Sequence, residues 1–214
     1  MSGVGFPAQC VWLSKVWMGT ECLKTLRSHN TRYEKISHHH KHTFQWLYEC
    51  PEYRNWLSSR TSSLLFIEGR PGSGKSTLLR YIADHFNPPV NGAIFAKFFY
   101  SHRDGEPERN HKNMLQYLLN EILKKDESFF MHFQQEFRNL GSPPKAWEYE
   151  KLKRVLGACL DHPLERSIFL IIDAMDEPDD RDRADIDNFL QEVSTPVEPT
   201  DKRRIVKTSF LVAQ

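Results

Sequence analysis

The sequence predicts an α/β fold: a parallel sheet flanked by helices, preceded by a helical arm. Three observations carry this. Short apolar runs, "LLFIEG", "AIFAKFFY" and "SIFLIID", alternate with amphipathic helical stretches, the order that gives parallel strands with crossover helices. The first run leads directly into the glycine-rich "GRPGSGKSTLL" at 69–79. The third ends in an acid, Asp173, where the carboxyl ends of parallel strands gather ligand-binding groups.

The elements follow in order. Residues 1–37 are weakly periodic, with Leu23, Leu26, Tyr33 and Ile36 at loosely helical spacing, so a linker or poorly packed arm is expected. The tract "HHHKH" at 38–42 has metal-binding character. No Cys or acidic cluster adjoins it, and a solvated lead-in to a helix is the expectation. In 43–63, Phe44, Trp46, Leu47, Tyr53, Trp56 and Leu57 fit one face of a helix pair broken at Pro51 and packed on the domain body.

Residues 64–69 form a buried strand, and "KSTLLRYIADHF" a helix with Leu78, Leu79, Ile82 and Phe86 inward. A second strand spans 93–100, followed by helices at 113–125, 128–140 and 146–160. The strand 167–173 is apolar from Ile168 to Ile172, as a strand covered on both faces must be. A helix over 183–193 and a further strand starting in "RRIVKTSFLVAQ" complete the pass.

Composition narrows the class. The chain has 214 residues, enough for one domain with a sizeable core. Its net charge of +1 supplies no bulk electrostatic footprint for nucleic acid or an anionic membrane. No apolar run approaches a membrane span, and "VWLSKVWM" is too short and too interrupted for a signal peptide. The four cysteines, Cys10, Cys22, Cys50 and Cys159, show no C-x-x-C spacing, so reduced thiols in a soluble intracellular (cytoplasmic) protein are expected.

The 69–79 stretch meets G-x-x-x-x-G-K-[ST] at every fixed position, the pattern of a phosphate-binding loop. Gly69, Arg70, Pro71, Gly72, Ser73 and Gly74 form the loop, whose glycines let successive N–H groups point at phosphate oxygens. Lys75 is expected at the β- and γ-phosphates, Ser76 on Mg2+, and Thr77 on a phosphate from the first helical turn. A glycine-rich turn without ligand is the plainer alternative. Asp173 suits a second metal-binding position, through water; otherwise it is a strand-ending acid or a cap. Ala174 follows it, and then Asp176 and Glu177. Either acid suits orientation of a water beside the γ-phosphate, or both cap the next segment. The Asp-rich run 173–187 lacks the glycine and spacing of a calcium loop.

"GRPGSGKSTLL" with "FLIIDAMDE" resembles the NACHT group of signal-transduction P-loop NTPases. The closer resemblance is to the nephrocystin-like NACHT proteins of filamentous fungi. Their arm reads roughly L-R-x(4)-R-x(3)-I-x(3)-H-x-x-T-F-x-W, and Leu26, Arg27, Arg32, Ile36, His40, Thr43, Phe44 and Trp46 stand in that register. The resemblance covers about residues 22–209, with an arm over 1–42 and the NTPase domain over 43–214. It implies an ATP- or GTP-dependent switch with Mg2+, set in a larger protein between an effector domain and C-terminal repeats. Protein partners or self-association through the NTPase domain are implied as well.

It also implies a strand ending in a motif like I-x-V-S-S-R, whose Arg senses the γ-phosphate. "IVKTSF" takes that register, putting Phe210 in the Arg position, and the sheet is expected to lack its last strand. Two other readings stand beside the switch. A small-molecule kinase would use the Arg residues of "RDRAD" as a lid. A non-hydrolysing fragment would act through its arm and aromatic surface.

Overall fold

The computed structural model describes residues 18–41, 43–59, 61–87, 91–141, 144–161, 167–178, 183–194 and 207–213. Cys10, His42, Arg181 and the first residues of the strand expected in "RRIVKTSFLVAQ" lie outside these residues. The arm contributes α1 over residues 18–25 and α2, Arg32–Lys35. After it come a 3-10 turn Gln45–Glu49 and α3, Pro51–Ser58. The remaining order is β1 Ser63–Ile67, α4 Lys75–Asp84, β2 Ile94–Phe99, α5 His111–Lys125, α6 Phe130–Asn139, α7 Tyr149–Leu160, β3 Ser167–Asp173, α8 Arg183–Ser194 and β4 Lys207–Ala213.

The four strands form one parallel sheet in the order β1-β4-β3-β2. The chain crosses from β1 to β2 in one direction and returns stepwise through β3 to β4. Right-handed crossovers therefore put α4 on one face and α5 to α8 on the other. Alternation along β3 feeds both faces. Ile168, Leu170 and Ile172 join Met114, Leu118, Leu156 and Leu190 in the larger core. Phe169 and Ile171 join Leu79, Ile82, Trp56 and Ile36 in the smaller one. Every residue of β3 is buried, so the uninterrupted apolar run is that of an interior strand.

Three expectations are corrected, besides that of a buried first strand: no residue of β1, an end strand of the described sheet, is buried, and Phe66 is 41% exposed. The arm is not poorly packed: Cys22 and Leu26 are fully buried in the larger core, and Ile36 is buried in the smaller. In 43–59 the first segment is a 3-10 turn entered through Phe44 at φ 68, and Pro51 opens α3 at its first turn. That turn buries Leu47 but leaves Trp46 57% exposed, outside the packed face. The third correction concerns the strand register. β4 runs over Lys207–Ala213, so Thr208 and Ser209 do not end the strand. Phe210 pairs with Leu64 and Leu170 in mid-ladder and does not occupy a sensor position at the strand's carboxyl end. The reason is that the ladder continues to Val212 and Ala213, opposite Phe66 and Ile67. Ending the strand at Ser209 would leave those backbone groups without partners in a buried sheet.

Candidate functional site

The loop between β1 and α4 turns at two glycines of positive φ, Gly72 at 77° and Gly74 at 90°. A side chain is strained at either, and Gly74 doubles as the N-terminal residue that feeds α4. Its carbonyl accepts from Leu78 N–H at 2.9 Å, and Ser73 N–H donates to Arg70 O at 3.1 Å. The Lys75 ammonium folds back onto the loop, donating to Gly69 O at 2.7 Å and Arg70 O at 3.2 Å. Gly69 has a different constraint: a Cβ there would meet Ser73 Oγ at 2.8 Å.

Asp173 ends β3 beside this loop and is 1% exposed. Burial dominates at its carboxyl and pushes its pKa up to about 6, against the neighbouring Ser76 hydroxyl and Ala174 N–H, which favour the ionised form. Its Oδ2 is buried and has no hydrogen-bond partner. Such an orphaned acceptor is rare in folded proteins and calls for an explanation. Ala174, at φ 55, turns the chain sharply after it. Met175 N–H then donates to Ala213 O at 3.0 Å, pinning the loop to β4.

Between these elements lies a cleft of about 850 Å3. One wall is Gly69 and Pro71 to Thr77. Its floor and far side are Asp173, Ala174, Asp176 and Glu177, with Ser101, His102 and Arg103 after β2, and Arg32 from the arm. The structure thus brings together all the site residues predicted from sequence except Arg70, whose backbone shapes the loop but which does not line the cleft. Asp176 is exposed. Glu177 is half-buried, and its Oε2 accepts from His102 N–H, tying the Asp173 loop to the segment after β2.

Sequence reasoning gave no role to Arg32, His102 or Arg103. No periodicity marks them, since they reach the cleft only because β2 lies beside β3 and the arm lies beside β2. The arm is fixed by long-range contacts. Asn30 Nδ2 donates to Phe99 O at 2.7 Å and Asn30 Oδ1 accepts from Phe99 N–H at 3.2 Å. Arg80, on α4, donates to Tyr33 O at 2.9 Å and also to Ile36 O, closing the carbonyl end of α2. Tyr33 lies between two cations, with Lys97 Nζ 3.3 Å and Arg80 Cζ 5.0 Å from its ring centre.

Comparisons with known proteins show the family. The sequence pattern of the family described as nephrocystin 3, N-terminal, matches residues 42–209. The chain belongs to the nephrocystin 3 N-terminal family. Within this family the domain is NACHT-related, and the sheet has the arrangement of a P-loop NTPase fold. The chain is also similar to the vegetative incompatibility protein HET-E-1 of Podospora anserina, at 25% identity over 173 residues. That match takes in 76% of this chain and 12% of the relative. The chain therefore spans about an eighth of that protein's length. No described helix of this nephrocystin 3 N-terminal family chain is long and apolar enough to cross a membrane.

Proposed function

We propose that the chain is a nucleotide-binding switch module of a NACHT, NOD-like signalling protein, taking ATP or GTP with Mg2+. The observation that carries the reading is the Asp173 carboxylate: buried, unpartnered at Oδ2, beside Ser76 and facing a glycine-turned loop. An ionised carboxylate in that position is poorly stabilised by the protein alone, and a cation would supply the missing partner. Ser76 and Asp173 would hold the Mg2+. Among the described residues no three His, Cys, Asp or Glu side chains converge on a metal-sized site. That suits Mg2+, which takes its remaining ligands from water and phosphate.

Gly69 to Thr77 would cradle the phosphates, with Lys75 leaving the Gly69 and Arg70 carbonyls for the β- and γ-phosphate oxygens. Asp176 and Glu177 are the candidates for orienting an attacking water. Asp176 is the freer of the two, since Glu177 already accepts from His102 N–H. Mg2+ would supply charge neutralisation at the phosphates. The output would be conformational, through the loops around Asp173, in a cytoplasmic protein acting on protein partners or on copies of itself. The HET-E-1 similarity supports a role of this signalling kind.

The test is Mg2+-dependent binding of ATP and GTP to the purified chain, with phosphate release measured in parallel. Binding that Lys75→Ala abolishes, with slow release, is the expected result. Binding without release would assign a nucleotide-holding module that does not turn over. Absence of binding in folded protein would overturn the proposal.

A further inference from the structure

Arg32 enters the cleft from outside the sheet, on a wall the glycine-rich loop does not form. Its nearest acid is Asp104, with Nη1 to Oδ2 at 3.8 Å, too long for a hydrogen bond. Lys35 Nζ stands 2.6 Å from the other oxygen of the same carboxylate. The Lys35 contact, with the nearby Ser101 hydroxyl, holds the Asp104 carboxyl below its usual range. Lys35 thus pairs with one oxygen of Asp104, whose other oxygen, Oδ2, is buried without a hydrogen-bond partner, and Arg32 is a guanidinium with only a loose ion pair. Its charge is also felt at Asp173, where it opposes the effect of burial.

We infer that Arg32 reads the terminal phosphate of a bound nucleoside triphosphate and ties the arm to the state of the site. This rests on the nucleotide-binding reading above. A planar guanidinium matches a phosphate's oxygens with paired donors. Arg32 stands on the Asp173 side of the cleft, and a diphosphate would leave nothing there for it to contact. Turning toward a phosphate would leave Asp104 paired to Lys35 at one oxygen.

The arm is built to feel the change. Arg80, one and a half turns into the helix that starts at Lys75, holds the Tyr33 and Ile36 carbonyls, within α2 and at its carbonyl end. Asn30 fastens the arm to Phe99 at the end of β2. A displacement of Arg32 is therefore resisted at both ends of a short segment, so it is passed to the arm instead of being absorbed locally.

The experiment measures dissociation constants of the full chain for non-hydrolysable ATP and GTP analogues and for ADP and GDP, all with Mg2+. Arg32→Ala should weaken the triphosphate analogue about tenfold or more, the worth of a hydrogen bond to a charged group. It should change the diphosphate less than about twofold, with Arg32→Lys recovering part of the loss. In the unaltered chain, amide exchange over residues 29–36 should slow with the triphosphate analogue and not with the diphosphate. Equal effects of Arg32→Ala on both nucleotides, or a triphosphate-selective loss that follows Arg103→Ala instead, would overturn the inference. If the unaltered chain binds neither nucleotide while folded, the nucleotide reading fails and this inference falls with it. If it binds both and Lys75→Ala abolishes that, the Arg32 result stands on its own.

Discussion

The two walls of the cleft are made in opposite ways. The 69–77 wall is a run of consecutive residues whose shape comes from backbone dihedrals and bonds a few residues apart, such as Ser73 N–H to Arg70 O. The facing wall is assembled from the arm, the segment after β2 and the segment after β3. It is held by single side chains acting over long separations: Arg80 to Ile36, Asn30 to Phe99, Glu177 to His102. The first wall should therefore be sensitive to backbone conformation and tolerant of side-chain loss. The second should show the reverse.

The most severe test of that contrast is Arg80→Ala. It leaves the carbonyl of Ile36 without its Arg80 donor, leaves that of Tyr33 with only the Ile36 N–H, and removes one of the two cations over the Tyr33 ring. An unpaired buried acceptor costs about 1–3 kcal/mol and the lost cation over the ring about 0.5–1 kcal/mol, so a loss of about 3 kcal/mol is expected in denaturant unfolding. Amide exchange should speed up over residues 30–36 before the rest of the domain.

Next in size is Asp173→Asn, which should stabilise the nucleotide-free chain. The Asp173 pKa is raised to about 6 in the fold against about 3.9 in an unfolded chain. Between those values the folded state holds the extra proton. The contribution is therefore fully present below about pH 4 and lost as pH rises through about 6. At pH 7.5 the amide should melt higher than the carboxylate, by about 2–3 kcal/mol in stability. The gap should close toward pH 4. A gap independent of pH would mean that the ionised carboxylate is not the source.

A smaller effect is expected on the loop wall. Gly74→Ala puts a Cβ at φ 90 with nothing within 4 Å to clash with, so only backbone strain opposes it, about 1–2 kcal/mol. Gly69→Ala has no unusual φ but must displace the Ser73 hydroxyl. If the two cost the same, backbone shape is not what governs this wall. The smallest effect belongs to Lys35→Ala. Its side chain is half exposed, so about 0.5 kcal/mol is expected. It would sharpen the contrast by drawing Arg32 toward the unmatched Asp104, which should weaken triphosphate binding without measurable unfolding.

The same contrast explains what the sequence disclosed. The strand–loop–helix of β1, loop and α4 was legible because its information is local: an apolar run, fixed glycines, then a 3.6-residue period. The amphipathic helices α5 to α8 and the buried β3 were legible for the same reason. The burial of Cys22, Leu26 and Ile36 was not, since four scattered apolar residues in a polar stretch carry no clear period. Nor was the presence of Arg32 at the cleft, which follows from β2 lying next to β3 and the arm next to β2. The β4 register was misjudged because a strand's end is set by its partners, Phe66 and Ile67 on one side and Ile172 on the other, and none of them is near it in sequence.

That placement of β4 has a consequence for how the molecule comes into being. The strand is last of the four along the chain but second across the sheet, between β1 and β3. Until it arrives, β1 has no neighbour, and only β2 and β3 can zip together. Ile67 must wait for Ala213, an interval on the order of ten seconds at ribosomal speeds. During that time the strand leading into the glycine-rich loop has both edges bare. The loop and its helix can therefore form early as local structure, while the cleft they face cannot close until translation has passed residue 213. Before then a nascent chain would present β1 to any chaperone, or any neighbouring chain, that accepts an extended strand.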